Sequence, residues 1–314
     1  MFISIDIGGT TIKYGVVDRA GNILKQSTMK TEDNKEIFVK NIVTIINSLK
    51  GEFEIEGVGM CAPGIIKEDG FMVAAGAIKS LYGENIKKEI EEQTGFTVTI
   101  ANDANSAAIA EQWIGNATNM RNYVCLVLGT GVGGAVVINN QIYAGSNGMA
   151  GEFGWTMINE LPDEGDIEVA TLNKKSAVVN GLCVNYNRKN LLVNKNAKET
   201  YDAKEVFELE KQGDVIAKEV LTDFFTNLAV GIINVMSSFD PDGILIGGGI
   251  SNNKEFEERL LKQIKEVKSR HASINRMSKT IETPVLMAKL KNDAGIIGAA
   301  FLIKEKIDSK YKEL

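Results

Sequence analysis

The sequence predicts an α/β protein built from two lobes of related design. A strand, a glycine turn and a second strand occur near residue 5 and recur near residue 127. Each is followed by segments of mixed helix and strand character, the mark of a duplicated α/β unit. Glycine is abundant (31) and proline scarce (4), which suits tight turns between packed elements better than long linkers. A chain of 314 residues is long enough for two domains of ordinary size, each with its own core.

The elements read as follows. Ile3, Ile5 and Ile7 alternate with Ser4 and Asp6, a half-buried strand, and residues 13–17 resume β-type sequence after a glycine turn. Residues 36–50 turn helical, with Phe38, Ile42, Ile45, Ile46 and Leu49 on one face. A strand is expected at 57–61, a helix at 86–93 closed by Gly95, and a strand at 97–101. Asn102, Asp103, Ala104 and Asn105 then lead into an Ala-rich helix, 106–114. The polar, turn-rich stretch 115–122 marks the lobe boundary.

The pattern restarts at 122–128, an apolar β-branched run, followed by a glycine turn at 129–134 and β-like sequence at 135–143. After a loop-rich stretch come helices around 204–212 and 216–237. The second carries a stripe of Ile216, Val220, Phe224, Leu228, Ile232 and Val235 at helical spacing. A short buried strand at 243–246, an amphipathic helix through Phe256, Leu260 and Ile264, and a last helix at 294–304 complete the chain.

Composition removes several function classes. Lys+Arg 35 against Asp+Glu 41 leaves a net charge of −6, which argues against a nucleic-acid partner. Asp6 stands where a signal peptide needs apolar residues, and the most apolar stretch, 123–138, is interrupted by four glycines. A cytoplasmic protein with no membrane association is expected. Cys61, Cys125 and Cys183 lie far apart, with no CxxC and a single histidine, His271, in a charged segment. A thiolate zinc site, a disulfide framework and histidine-dependent nucleophilic catalysis are therefore not expected.

Three glycine clusters are candidates to carry chemistry, although a single hairpin of this kind reads first as a tight β-turn. Gly129, Thr130, Gly131, Val132, Gly133 and Gly134 match GxGxxG, but a strand rather than a helix follows, so a dinucleotide fold is not expected. No GxxxxGK[ST] occurs either. What remains is a hairpin whose backbone N–H groups and Thr130 hydroxyl suit phosphate oxygens. Gly8, Gly9, Thr10 and Thr11 offer the same equipment, with Lys13 nearby and Asp6 suited to orienting Mg²⁺ through its waters. Two such hairpins, one per lobe, suit a polyphosphate held across a cleft. Gly247, Gly248 and Gly249 follow a strand, where either a flat ring or a close helix–strand crossing would require the absence of side chains.

Together DIGGTTIKYGVVD, APG at 62–64, ANDAN at 101–105, LGTGVGG at 128–134, AGEFG at 150–154, DPDGILIGGGIS and NDAGIIGAA resemble the ROK family in order along essentially the whole chain. That family groups bacterial sugar kinases with related repressors. The resemblance implies two ribonuclease-H-like lobes of the actin/hexokinase/Hsp70 superfamily with a cleft between them. Residues 1–118 would form the phosphate- and sugar-binding lobe and 119–293 the nucleotide lobe, with 294–314 returning as a helix onto the first. It implies Mg-ATP phosphates on Gly8–Thr11 and on the loop of Gly129, Thr130, Gly131 and Gly133, and adenosine near Gly247, Gly248 and Gly249. It implies sugar hydroxyls on Gly64, Asn102, Asp103 and Glu152, with Asp103 as general base and Asn102 and Glu152 as bidentate hydroxyl ligands. A homodimer or homotetramer is the family's usual assembly.

The departures are specific. Glucokinases of this family carry AGEFGH and then a CxCGxxGCxE zinc loop; here Trp155 replaces the histidine and residues 160–173 contain no cysteine. A zinc-less branch is therefore expected, with Glu168 as a stand-in for the glutamate that ends that loop. Trp155 would either stack on a sugar face or aglycone, or fill the space of the metal. The segments AGAI at 75–78 and GENI at 83–86 resemble β-glucoside kinases, which phosphorylate a 6-hydroxyl. N-acetylmannosamine kinase and glucokinase are the alternatives within the class. A non-catalytic sugar sensor or regulator is the alternative outside it. Family repressors carry a winged helix ahead of the first strand, for which a strand at Ile3 leaves no room, and a sensor would be expected to lack Asp103.

Overall fold

Alternating isoleucines on β1 (Phe2–Ile7) sit at the centre of the first of two five-stranded sheets. The computed structural model describes residues 1–277 and 280–312, with side chains to residue 310. β1 pairs antiparallel with β2 (Thr11–Val17), which pairs with β3 (Ile23–Lys30). Beyond α1 (Lys35–Lys50), β4 (Gly57–Ala62) lies parallel to β1. α2 (Ile86–Thr94) then leads to β5 (Val98–Asn102), parallel to β4, and α3 (Asp103–Ile114) follows directly. The order is β3-β2-β1-β4-β5.

α1 begins where the Asn34 side chain accepts from the Ile37 N–H, and its buried face includes Phe38, Ile42 and Ile46. Each of these fully buried side chains contributes about 1.5–3 kcal/mol. α2 ends at Gly95 with φ 71°, a left-handed cap that glycine adopts without strain.

The second sheet is built from β6 (Tyr123–Leu128), β7 (Val132–Ile138), β8 (Gln141–Ile142), β9 (Gly243–Gly247) and β10 (Val285–Met287). Its order, read as β8-β7-β6-β9-β10, repeats that of the first sheet. β7 is antiparallel to β6, β9 is parallel to β6, and β10 is parallel to β9. The helices of this half are α4 (Leu172–Ser176), α5 (Val184–Val193), α6 (Ala203–Lys211), α7 (Val215–Phe239), α8 (Lys254–Arg270) and α9 (Ala272–Met277). A π-helical turn, Val178–Cys183, joins α4 to α5. α7 is the one helix among the described residues long and apolar enough to cross a membrane. Its stripe is buried against Phe207, Phe256 and the β6 and β9 side chains, so it is the core helix of this half.

The last helix, α10 (Ala294–Lys312), packs on β1 and β4. Ile296, Ala300 and Ile303 cluster with Phe2 and Val17. Gly59 makes the approach possible, since a Cβ there would lie 1.9 Å from the Ala299 carbonyl oxygen. By internal contacts the chain divides into two compact units: residues 1–119, 140–150 and 292–314, and residues 120–139 and 151–291. The last two positions of the segment expected at 294–314 lie outside the described residues.

Several elements differ from the sequence reading. α3 starts at Asp103 rather than 106, because Asn102 caps it, accepting from the N–H groups of Ala104 and Asn105. The glycine turn is shorter than 129–134: β7 begins at Val132, and Gly133 and Gly134 pair with Val127 and Leu126. Residue 134, although in the strand, has to be glycine because a Cβ there would meet the Phe153 ring at 2.5 Å. The stretch read as loop-rich holds α4, the π-helical turn and α5, whose sequence VNYNRKNLLV is too polar for a clear stripe. β3 has exposed side chains on both faces at the sheet edge, so it lacks the alternation that betrays a strand.

Candidate active site

In the first unit the strand β1 delivers Asp6 to the edge of the turn that joins β1 to β2. Gly8 donates its N–H to the Thr11 carbonyl at 3.0 Å and accepts from the Thr31 hydroxyl at 2.7 Å. The N–H of Gly8 is therefore committed to the turn itself. The N–H groups of Gly9 and Thr10 take no acceptor among the described residues, which leaves two adjacent donors for an anion. Thr11 opens β2 with an exposed side chain. Lys13 stands opposite Asp6 in the β1–β2 register, and its ammonium donates to the Asn292 carbonyl.

Asp6 is largely buried, and that burial raises its carboxyl above the ordinary range, opposed by the Cys61 thiol and the Lys13 charge. The fit of Mg²⁺ to this carboxylate is judged by donor chemistry. A single hard carboxylate beside a phosphate-type nest suits an ion that keeps most of its water and shares the phosphates. Among the described residues no group of three His, Cys, Asp or Glu side chains converges on a metal position. The residues present fit a nucleotide-borne Mg²⁺.

Gly64, Asn102 and Asp103 come together where β4 and β5 end. Gly64 has φ 103°, and a Cβ on it would lie 2.2 Å from the Ala74 carbonyl oxygen, so only glycine fits. Its carbonyl accepts from the Asn102 amide at 2.8 Å. With Oδ1 capping α3, Asn102 has one N–H left to offer, which corrects the bidentate contact read from sequence. Asp103 is the first residue of α3, exposed, with Oδ1 accepting from the Ala104 N–H at 2.8 Å.

In the second unit the loop between β6 and β7 is pinned from behind. The Gly129 carbonyl accepts from Val178 and Val179, the Thr130 carbonyl from Asn180, and Asn173 accepts from the Val132 N–H at 3.1 Å. The N–H groups of Thr130 and Gly131 take no acceptor among the described residues, a second pair of adjacent donors. Gly133 lies in β7 and supplies no loop N–H, contrary to the sequence reading. Asn173 was missed because an Asn in a helix start reads as capping or solvation.

The triple glycine divides its labour. Gly248 (φ 92°) is required by packing, since a Cβ would lie 2.0 Å from the Leu128 carbonyl oxygen. Gly247 ends β9 with ordinary contacts, whereas a Cβ on Gly249 would meet open space. Close packing against the end of β6 therefore accounts for Gly248 and does not account for Gly249.

Glu152 precedes a 3₁₀ turn, Phe153–Trp155, and burial raises its carboxyl above the usual range. Trp155 is 53% exposed, so it does not fill an interior space. The segment after it folds back: Leu172 donates to the Thr156 carbonyl, Ile158 donates to the Ala170 carbonyl, and Met157 bridges Thr171. Backbone hydrogen bonds thus close the segment that carries Glu168, which lies in a 3₁₀ turn with its N–H held by Asp166.

The ROK family model matches residues 2–306. The chain belongs to the ROK family. Two curated relatives are a beta-glucoside kinase of Listeria monocytogenes, 31% identical over 95% of each chain, and a glucokinase of Halalkalibacterium halodurans, 31% identical over 99% of this chain and 97% of that one. A ROK family glucokinase from Streptomyces griseus, solved with glucose and AMPPNP, is 28% identical with a TM-score of 0.75 over 96% of this chain and 98% of that one. The two repeated sheets are those of the actin/hexokinase-like fold, as the sequence led one to expect.

Proposed function

We propose that this sugar kinase of the ROK family transfers the γ-phosphoryl group of ATP to the 6-hydroxyl of a hexose, with a β-linked glucoside as the preferred acceptor. The observation that carries the chemistry is Asp103, an exposed carboxylate fixed at the first position of α3 by the Asn102 cap. A sugar hydroxyl is a weak nucleophile, and a carboxylate that accepts its proton aligns it for in-line attack on phosphorus. Gly64 and the remaining N–H of Asn102 orient the sugar, and Glu152 accepts from its hydroxyls. Glu168 is assigned to the same sugar set.

The donor pairs Gly9–Thr10 and Thr130–Gly131 take phosphate oxygens, and Lys13 adds charge. The open face of Gly249 accommodates the adenosine. Asp6 would hold Mg²⁺ through its waters, and the ion would supply charge neutralisation at the phosphates. Exposure of Trp155 close after Glu152 supports the β-glucoside reading, since an indole open on one face suits the apolar face of a second sugar or an aglycone. The same reading makes it a cytoplasmic enzyme that assembles as a homodimer or homotetramer, as the family resemblance implies.

The test is coupled ADP release with Mg-ATP over glucose, cellobiose, gentiobiose, N-acetylmannosamine, N-acetylglucosamine and fructose. Turnover of the β-linked disaccharides ahead of glucose is expected. Asp103→Asn should lower kcat by about 10²-fold or more while sugar still quenches tryptophan fluorescence. Preference for N-acetylmannosamine would replace the acceptor. Sugar binding without turnover of any acceptor would make the protein a sensor.

A further inference from the structure

The Asp6 carboxylate sits in a cradle that the reaction itself does not explain. Against it lies Cys61, its parallel partner on β4, fully buried, with Sγ within donating distance of Asp6 Oδ1 at 3.3 Å and of the Gly295 carbonyl at 3.5 Å. Against it too lies Gly295, the second residue of α10, where a Cβ would lie 2.6 Å from both Cγ and Oδ2 of Asp6. Glycine disfavours a helix, so its place there calls for a packing reason, and the carboxylate is the one visible. The thiol is placed to act toward Asp6 as a donor.

We propose that Cys61 and Gly295 are positioning residues for Asp6: a buried S–H and the space left by a missing side chain together hold its carboxylate in one orientation toward the nucleotide's metal ion. The inference rests on the reading that Asp6 serves that ion. It assigns Cys61 a role that neither redox chemistry nor nucleophilic attack supplies, and it makes Gly295 a requirement of the site beyond helix packing. Lys13, opposite Asp6 and anchored to the Asn292 carbonyl, completes the surroundings.

The test uses Mn²⁺ with ADP, free Mn²⁺ being read by electron paramagnetic resonance without turnover. Asp6→Asn, Cys61→Ala, Cys61→Ser and Gly295→Ala are compared with the wild-type chain, with thermal melting and sugar-induced tryptophan quenching beside each. Gly295→Ala is expected to weaken Mn²⁺–ADP about tenfold or more by displacing the carboxylate. Cys61→Ala should weaken it about three- to tenfold, whereas Cys61→Ser, which keeps a donor, stays within about twofold. Sugar binding should be unchanged in all four.

If Asp6→Asn loses Mn²⁺–ADP while Cys61→Ala and Gly295→Ala bind it like wild type, the cradle is overturned and the role of Asp6 stands. If Asp6→Asn also binds like wild type, the parent reading of Asp6 falls. Serine no better than alanine at position 61 removes the donor argument. Should Gly295→Ala fail to fold, the two Cys61 variants decide.

Discussion

Gly298→Ala sets local helix propensity against tertiary packing in one experiment. On propensity alone the change stabilises α10 by about 0.8–1 kcal/mol, because glycine is the poorer helix former. The fold predicts the opposite. A Cβ at 298 would lie 1.8 Å from the Ser106 carbonyl oxygen and 2.5 Å from its carbonyl carbon, both backbone atoms of α3. Ordinary contact begins near 3.4 Å, so the two helices must separate by about 1.6 Å, and no rotamer change relieves it. Overpacking costs about 1–3 kcal/mol, and a clash this close with unyielding backbone lies at the top of that range, so about 3 kcal/mol outweighs the propensity gain and leaves a net loss of about 2 kcal/mol. For a unit of this size the midpoint of thermal unfolding should fall by about 4–8 °C. Circular dichroism melts without sugar or nucleotide measure it. Gly51→Ala is the control, since a Cβ there meets its nearest atom at 3.5 Å and should change stability by no more than about 0.5 kcal/mol. Ser106 lies one turn after Asp103, so kcat should fall with the melting point. A Gly298→Ala protein that melts at or above the wild type would refute the packing argument.

Glu152→Gln should raise the melting temperature at pH 7 while abolishing sugar-induced quenching. Burial raises this carboxyl, so its contribution to stability is greatest at low pH and is lost as pH rises from the ordinary glutamate value through the raised one. A neutral amide removes that loss, and the advantage over wild type should vanish below about pH 4; equal melting curves at pH 7 would sink the assignment. Trp155→Ala, at a 53% exposed position, should shift stability by no more than about 0.5 kcal/mol. It should nevertheless lower kcat/KM for cellobiose more than for glucose, and an equal loss for both would remove the aglycone role.

By itself the sequence determined the duplicated α/β design, the family, and the identity of most candidate site residues. These signals are local: alternating Ile3, Ile5 and Ile7, helical spacing along α7, and glycine runs whose residue type is dictated by backbone geometry. Elements whose stability comes from neighbours were not legible in the same way. β3 is polar on both faces and exists because β2 offers an edge, and α5 carries no apolar stripe yet follows a π-helical turn pinned to the β6–β7 loop.

Only the tertiary structure decided which glycines are required by packing and which open to space. Gly248 and Gly249 are adjacent in sequence and alike in chemistry, yet one packs against the Leu128 carbonyl and the other opens to space. It likewise showed that Asn102 has one N–H to spare, that the Trp155 indole is exposed, and that Cys61 and Gly295 lie against Asp6. Side-chain chemistry is written residue by residue, but a hydrogen bond or a steric limit belongs to a pair. The partners of Asp6 lie 55 and 289 positions away along the chain and meet it only when the sheet and α10 have assembled.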